Sequence, residues 1–466
     1  MNSLLATAVF ALLILGLFWL DRDRKAKVSW ALWLPTVWLF IASSRNIAEW
    51  FASGPMAVGE ELGDRYLDGN PLDRNIMTAM LVVALIVLAR RRKTMLILRS
   101  NLPILLFFFY CALSALWSDH PDLSLKRWVK AVGDLVMAMV VLTDEDSLAA
   151  TKQLFKQVGF LVIPLSILLI RFYSDWGRVY NPWDGTLTYT GVTTNKNQLG
   201  MICLIYGLAA AWRILEVVRV KRWARNWGTL VANGIIVATG LWLIRAADSM
   251  TPFACFALAG GVMVACSLRS VARKPWLIHL LVVSVLAVAF SALFLGIGSG
   301  LVQNLGRDST LTGRTDIWNL VLPMTPSALL GAGYENFWTG GRLQKIWSVY
   351  WNHPNQAHNG YIEIYLNLGW IGVILLALVI ITAYRKVVAA VRRRADAAPL
   401  RLAYFIVAVA YNFTEAAFKM TNPVWIVFLL ATTFVPEAAL RTGSKLKVPV
   451  KMPAPLAELP VGDASA

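Results

Sequence analysis

The chain has 466 residues, 58% of them hydrophobic and 15% charged, with a formal net charge of +17. A soluble domain carries about 25% charged and 45–50% apolar residues, so this balance excludes a water-soluble globule. Continuous apolar runs of about 16–24 residues recur along the whole length, each matching the roughly 20 residues of helix that cross a hydrocarbon core; runs that do not alternate also exclude a transmembrane β-barrel.

In chain order the predicted spans are 3–20, 28–43, 75–89, 102–117, 128–143, 157–172, 197–212, 228–244, 250–267, 276–298, 360–384, 402–418 and 423–440. The expected fold is an all-α polytopic transmembrane bundle of about 12–14 helices with a large extracytoplasmic loop. The first span has no basic segment ahead of it and is followed by DRDRKAK, so it reads as a retained helix and not a cleaved leader. With the N-terminus outside, DRDRKAK, the RRRK cluster at 90–93, the stretch from 144, and the loops 213–227, 268–275 and 385–401 all fall inside, together with the C-terminal tail. These segments hold most of the basic residues, as the positive-inside rule requires. The excess charge is therefore topology, with a smaller contribution toward anionic membrane lipids, and does not call for nucleic acid. Cys111, Cys203, Cys255 and Cys266 all lie inside apolar runs, where a thiol is a small buried hydrophobe. Residues 1–440 form the expected transmembrane domain. The Pro- and Ala-rich stretch 441–466 reads as a disordered cytoplasmic tail.

The useful polar chemistry collects outside, chiefly in 44–74 and in the long loop 299–359. The latter is dense in aromatics, with Trp318, Tyr334, Phe337, Trp338, Trp347, Tyr350 and Trp351, which suits a folded cap, a sugar-stacking surface or an interfacial belt. LTGRTDIW sets Arg314 before a short amphipathic helix expected to carry Trp318 and Leu322. A guanidinium there fits a diphosphate or anchors a lipid head group; Arg307 is a weaker copy. HPNQAHNGYIEIYLNLGWIG ends the loop. His358 stands at a helix mouth, where an imidazole serves either as general base or as a structural residue, and Glu363, five residues on, faces another side of the helix. In TGVTTNKNQLG, Asn195, Lys196 and Asn197 open a helix. They make either an anion site at its positive end or a plain N-cap. IRAADSMT adds Arg245, Asp248 and Ser249, and YNFTEAAFK adds Asn412 and Glu415. Ionisable groups near the membrane mark a functional site by default, although Asp248 can simply pair with Arg245, and Glu415 with Lys419.

The ordered set WSDHP, GVTTNKNQLG, LTGRTDIW, AHNGYIEIYLNLGWIGVILL and NFTEAAF, spanning roughly 110–420, resembles the O-antigen ligase and polymerase superfamily. This comprises lipopolysaccharide O-antigen ligases, Wzy-type polymerases and ExoQ-like exopolysaccharide polymerases. The resemblance implies a glycosyltransferase with no metal or cofactor on the periplasmic face of the bacterial inner membrane. Its donor would be an undecaprenyl-diphosphate-linked glycan and its acceptor a second glycan or a lipid A core, with a chain-length regulator as a further partner. Arg314 matches the family arginine after glycine that holds the donor diphosphate, and His358 the histidine before Asn-Gly that activates the acceptor hydroxyl. Relatives often carry an arginine just upstream of the Asn-Lys-Asn triplet, where this chain has Thr188, Tyr189 and Thr190. The second diphosphate cation is thus open between Lys196, Arg178 and Arg245, with Asn197 and Glu415 as further substrate-binding candidates. The Asn-Lys-Asn element leans toward the ExoQ-like branch. A transporter or flippase for a lipid-linked glycan is the alternative, and it predicts broken helices or paired charges at mid-membrane.

Overall fold

The computed structural model describes residues 2–23, 26–51, 70–180, 185–220, 226–294, 314–350 and 353–436. Arg307, Trp351 and the tail 441–466 lie outside the described residues.

Each predicted apolar run overlaps a helix, although the helix expected over 402–418 ends at Tyr411 and that expected over 423–440 ends at Thr432, and the helix starts follow from local chemistry. Asn70 accepts from Leu72 N ahead of Pro71, Asp146 accepts from Ala149 N, and Asn422 accepts from Val424 N ahead of Pro423. Each such cap satisfies a backbone donor that has no partner within the helix. Among the described residues, seven helices are long and apolar enough to cross a membrane: Ser3–Leu20, Pro71–Arg90, Ser147–Phe172, Lys196–Val220, Trp227–Ala246, Met250–Ser267 and Gly360–Arg392. Pro121–Leu142 is long as well, but carries Asp122, Lys126, Arg127, Lys130 and Asp134. The stretch expected as the straight span 102–117 is instead the far arm of a pair, Lys93–Ser100 with Leu102–Trp117, bent by 82°.

Two short helices are the most enclosed. Every residue of Pro423–Thr432 and all but Arg401 of Ala398–Tyr411 are buried, with Met250–Ser267 and Lys196–Val220 packed around them. At the periphery, Ser3–Leu20 leaves Leu4, Leu5, Leu12, Leu15 and Trp19 exposed, an apolar surface tolerable only against lipid. A small antiparallel pair, Arg178–Tyr180 with Leu187–Tyr189, lies between the helices Ser147–Phe172 and Lys196–Val220.

The expected span 360–384 is broken near its start. Gly369 adopts φ 61°, ψ −165°, and a Cβ there would collide with the backbone of Leu329 and Leu330. Backbone groups freed by the break are taken up by the 328–333 segment: Trp370 N donates to Ala328 O (2.9 Å), Ala332 N to Leu366 O (3.0 Å) and Gly333 N to Asn367 O (2.8 Å). Irregular backbone at membrane depth persists only where protein satisfies it in this way. Residues 370–392 remain to cross the membrane, and 360–368 become part of a cap over that end of the bundle. A second apolar core, with Ile317, Val321, Phe337, Trp338, Leu343, Ile346 and Leu366, fills that cap. Its aromatics are therefore mainly structural. Ile317 and Val321 form the inner face of the Arg314–Val321 helix, whereas Leu322, expected on that face, is exposed and lies beyond the helix end.

Candidate active site

The 412–422 loop, between the two enclosed helices, sits deep. Thr421 N donates to Asp134 Oδ2 (2.8 Å), whose other oxygen accepts from Trp38 Nε1 (2.8 Å). Asp134 lies 13 residues into its helix, so Thr421 meets that helix about 20 Å from its start at 1.5 Å per residue. Asn412 shapes the loop: its Oδ1 accepts from Ala417 N (2.8 Å) and Phe418 N (3.0 Å), and its Nδ2 donates to Ala408 O (2.7 Å). Gly360 N donates to Asn412 O (2.8 Å). A Cβ on Gly360 would strike the Asn412 amide, so glycine is what lets the two segments meet.

That loop presents Glu415, whose carboxylate joins three other parts of the chain. Its Oε2 lies 3.2 Å from His358 Nδ1, and its Oε1 lies 3.4 Å from Arg314 Nη2 and 3.2 Å from Asn197 Nδ2. Arg314 Nη1 also donates to Thr414 O (2.6 Å). The Glu415 side chain is 13% exposed, against 28% for Arg314 and 30% for His358. A carboxylate only accepts, so its contact assigns the imidazole proton to Nδ1 and leaves the Nε2 lone pair to receive another. The Gln356 amide approaches the same Nδ1 at the longer distance of 3.4 Å.

His358 itself sits at φ +50°, a left-handed conformation that costs a non-glycine residue about 1–2 kcal/mol. Its neighbours hold it there. Ala357 O accepts from Trp318 Nε1 (2.7 Å) and Ala357 N donates to Glu363, whose Oε2 in turn accepts from Trp338 Nε1 (2.9 Å). Asn359 Oδ1 caps the next helix at Tyr361 N (3.0 Å) and Ile362 N (3.1 Å), while its Nδ2 donates to Phe413 O (3.2 Å). The Arg314 helix, which carries Trp318, and the His358 turn are thus coupled through one clamped residue, Ala357. As expected from spacing, Glu363 makes its bonds away from the imidazole. Its hold on Ala357 N is a tertiary contact that spacing alone does not reveal.

Of the remaining candidates, Asn197 is in the cluster and also accepts from Ser249 Oγ (3.3 Å). Lys196, next to it, is half-exposed and 3.9 Å from Asp248. Asp248 therefore reaches Lys196 across the helix pair, and Glu415 pairs with Arg314 and His358 where Lys419 was the simple expectation. Lys419 acts instead on Glu363. Asn195 caps its helix by accepting from Gln198 N (2.9 Å). Arg178 lies in the small hairpin with Nε donating to Ile170 O (2.7 Å), and Arg245 is exposed at the end of Trp227–Ala246; neither contacts Glu415. WSDHP anchors the cap: Asp119 pairs with Arg342 at 2.6 Å, and Ser118 bonds Asn336. An open cleft enclosing about 740 Å³ is lined by Asn195, Asn197, Gln198, Gln356, Glu415 and Lys419 among others.

Residues 235–377 match the O-antigen ligase family. That stretch contains Arg314 and His358 but ends before Glu415 and begins after Lys196. Over 307 residues the chain is 29% identical to the exopolysaccharide production protein ExoQ of Rhizobium meliloti, covering 64% of this chain and 68% of that protein.

Proposed function

We propose that this chain, which belongs to the O-antigen ligase and polymerase superfamily and is a multi-pass membrane protein of polysaccharide assembly, is a glycosyltransferase that moves a polyprenyl-diphosphate-linked glycan onto a hydroxyl acceptor. The observation that carries this reading is the single Glu415 carboxylate joining His358, Arg314 and Asn197. His358 Nε2 takes the proton of the acceptor hydroxyl as it attacks the anomeric carbon, and Glu415 fixes the imidazole and stabilises the imidazolium that forms. The glycosidic C–O bond to the diphosphate breaks, and the electron pair leaves on the diphosphate oxygen. Arg314 offers five donors in a rigid fork, more than its contacts to Thr414 and Glu415 use, and Lys196 supplies a second positive charge at the same mouth. Cations fixed where charge develops lower the barrier without having to reorganise. We assign the donor as undecaprenyl diphosphate-linked, the reaction as metal-independent, and the site as opening to the periplasm, because the outer loops are poor in Lys and Arg. The likeness to ExoQ, an exopolysaccharide production protein, favours polymerisation over ligation.

Cells carrying the native glycan pathway test the proposal when wild type, His358→Ala and Arg314→Ala are compared by gel separation of lipid-linked and lipid A-linked glycans. Single repeat units accumulating on the carrier lipid indicate a polymerase, and long chains stranded there indicate a ligase. Unchanged glycan pools with both variants present at normal abundance would overturn the enzymatic reading.

A further inference from the structure

A second cleft lies at the other end of the helices that build the site. The Gly360–Arg392 helix begins just after His358 and ends at Arg392, while Ala398–Tyr411 begins beside that end and finishes at Asn412. Between these far ends, the first turns of Ser147–Phe172 and the end of Pro423–Thr432 lies an open cleft of about 750 Å³. One wall is apolar, with Leu148, Phe155, Leu430 and Phe434; the other carries Arg385, Lys386, Arg393 and Arg401, against the single carboxylate of Asp396.

Two of these cations are held but not neutralised. Lys386 Nζ donates to Ser100 O (2.9 Å) and Asn101 Oδ1 (3.0 Å) and lies 5.7 Å from the Phe434 ring centre. Arg401 donates from Nε to Ala431 O (2.5 Å) and from Nη2 to Thr433 O (3.3 Å). All these partners are neutral, and among the described residues neither cation forms a salt bridge. Their charges repel one another. Two fixed positive charges beside an apolar wall match a molecule with an anionic head and hydrocarbon chains. The same long helix turns Ile374, Leu378 and Ile381 outward, an apolar stripe that runs along the helix to Arg385 at i, i+4 from Ile381.

We infer that this cleft binds an anionic phospholipid of the surrounding bilayer, with its phosphate between Lys386, Arg401, Arg385 and Arg393 and its acyl chains along the apolar wall. The site is distinct from the Glu415 cluster and uses basic residues between helix ends, a common means of holding anionic head groups. Native mass spectrometry of the full chain in detergent, titrated with phosphatidylglycerol or phosphatidylcholine, tests it. Phosphatidylglycerol is expected to be retained at least about tenfold more tightly, and Arg385→Gln with Arg393→Gln to weaken it by about fivefold for each cation removed. Arg392→Gln with Arg394→Gln, exposed neighbours outside the lining, should leave retention unchanged. Equal retention of the two lipids, or equal loss in both double variants, overturns the inference. So does displacement by millimolar inorganic phosphate, which would mark a soluble-anion site, or tighter lipid binding after truncation at Pro436, which would mark the tail as occupant.

Discussion

Glu415→Gln separates the two jobs assigned to one carboxylate. The substitution keeps the shape of the side chain but removes its charge and makes half of its end a donor. Against His358 Nδ1 at 3.2 Å the amide can present either atom, so the tautomer with a free Nε2 lone pair is no longer enforced. Bonds to charged groups are worth about 1.5–3 kcal/mol, and a positioned general base contributes about 10²–10⁴ in rate. We therefore expect turnover to fall about 100-fold, equivalent to about 2.7 kcal/mol. KM for the donor should hold or fall, because a negative charge next to Arg314 has been withdrawn from the diphosphate. Initial rates with a lipid-linked glycan in proteoliposomes, for Glu415→Gln, His358→Ala and the double variant, provide the measurement. If the carboxylate acts through the imidazole, adding Glu415→Gln to His358→Ala costs less than about threefold, since coupled residues are non-additive. Multiplicative losses, or wild-type turnover in Glu415→Gln, would refute the pairing as the source of catalysis.

Glu363→Gln should lower turnover by about tenfold with KM unchanged, as expected for a residue that positions the His358 turn through Ala357 and touches no substrate; a change confined to KM in the same rate assay would count against that role. Gly360→Ala places a methyl group into the Asn412 amide and should destabilise the protein by about 1–3 kcal/mol, read as a lower melting temperature in detergent. Burial pushes the Glu49 carboxyl up from its ordinary value, against hydrogen bonds from Asn46 and the charge of Arg45. The folded state then holds this proton more tightly than the unfolded one, so its stabilising contribution is present at low pH and lost as pH rises through the folded pKa. Glu49→Gln should accordingly raise thermal stability above neutral pH, with the gain closing as pH falls into the ordinary carboxylate range; a gain independent of pH would exclude this cause.

Much of the site was legible because its members stand in short polar motifs between apolar runs, where an ionisable residue has few other reasons to be. Arg314, His358, Asn197 and Glu415 were each marked by that contrast. Their convergence was not, because Glu415 lies 57 residues from His358, 101 from Arg314 and 218 from Asn197, and periodicity carries no information about such pairings. The simple i,i+4 expectation for Glu415 and Lys419 failed for a physical reason: past Tyr411 the chain leaves the helix and folds around Asn412, so helical spacing no longer applies.

The sequence alone determined what hydrophobic periodicity controls: helices in place of strands, their positions along the chain, a membrane as solvent, and polar motifs gathered between the apolar runs. These depend on local runs whose transfer to lipid is favourable residue by residue. Only the tertiary structure decided that the 360–384 run breaks at Gly369, that two short helices can sit enclosed while their connecting loop descends toward Asp134, and that one carboxylate there meets an imidazole and a guanidinium. Those outcomes depend on backbone groups finding partners from distant segments, a condition set by packing and not written in any single stretch of chain.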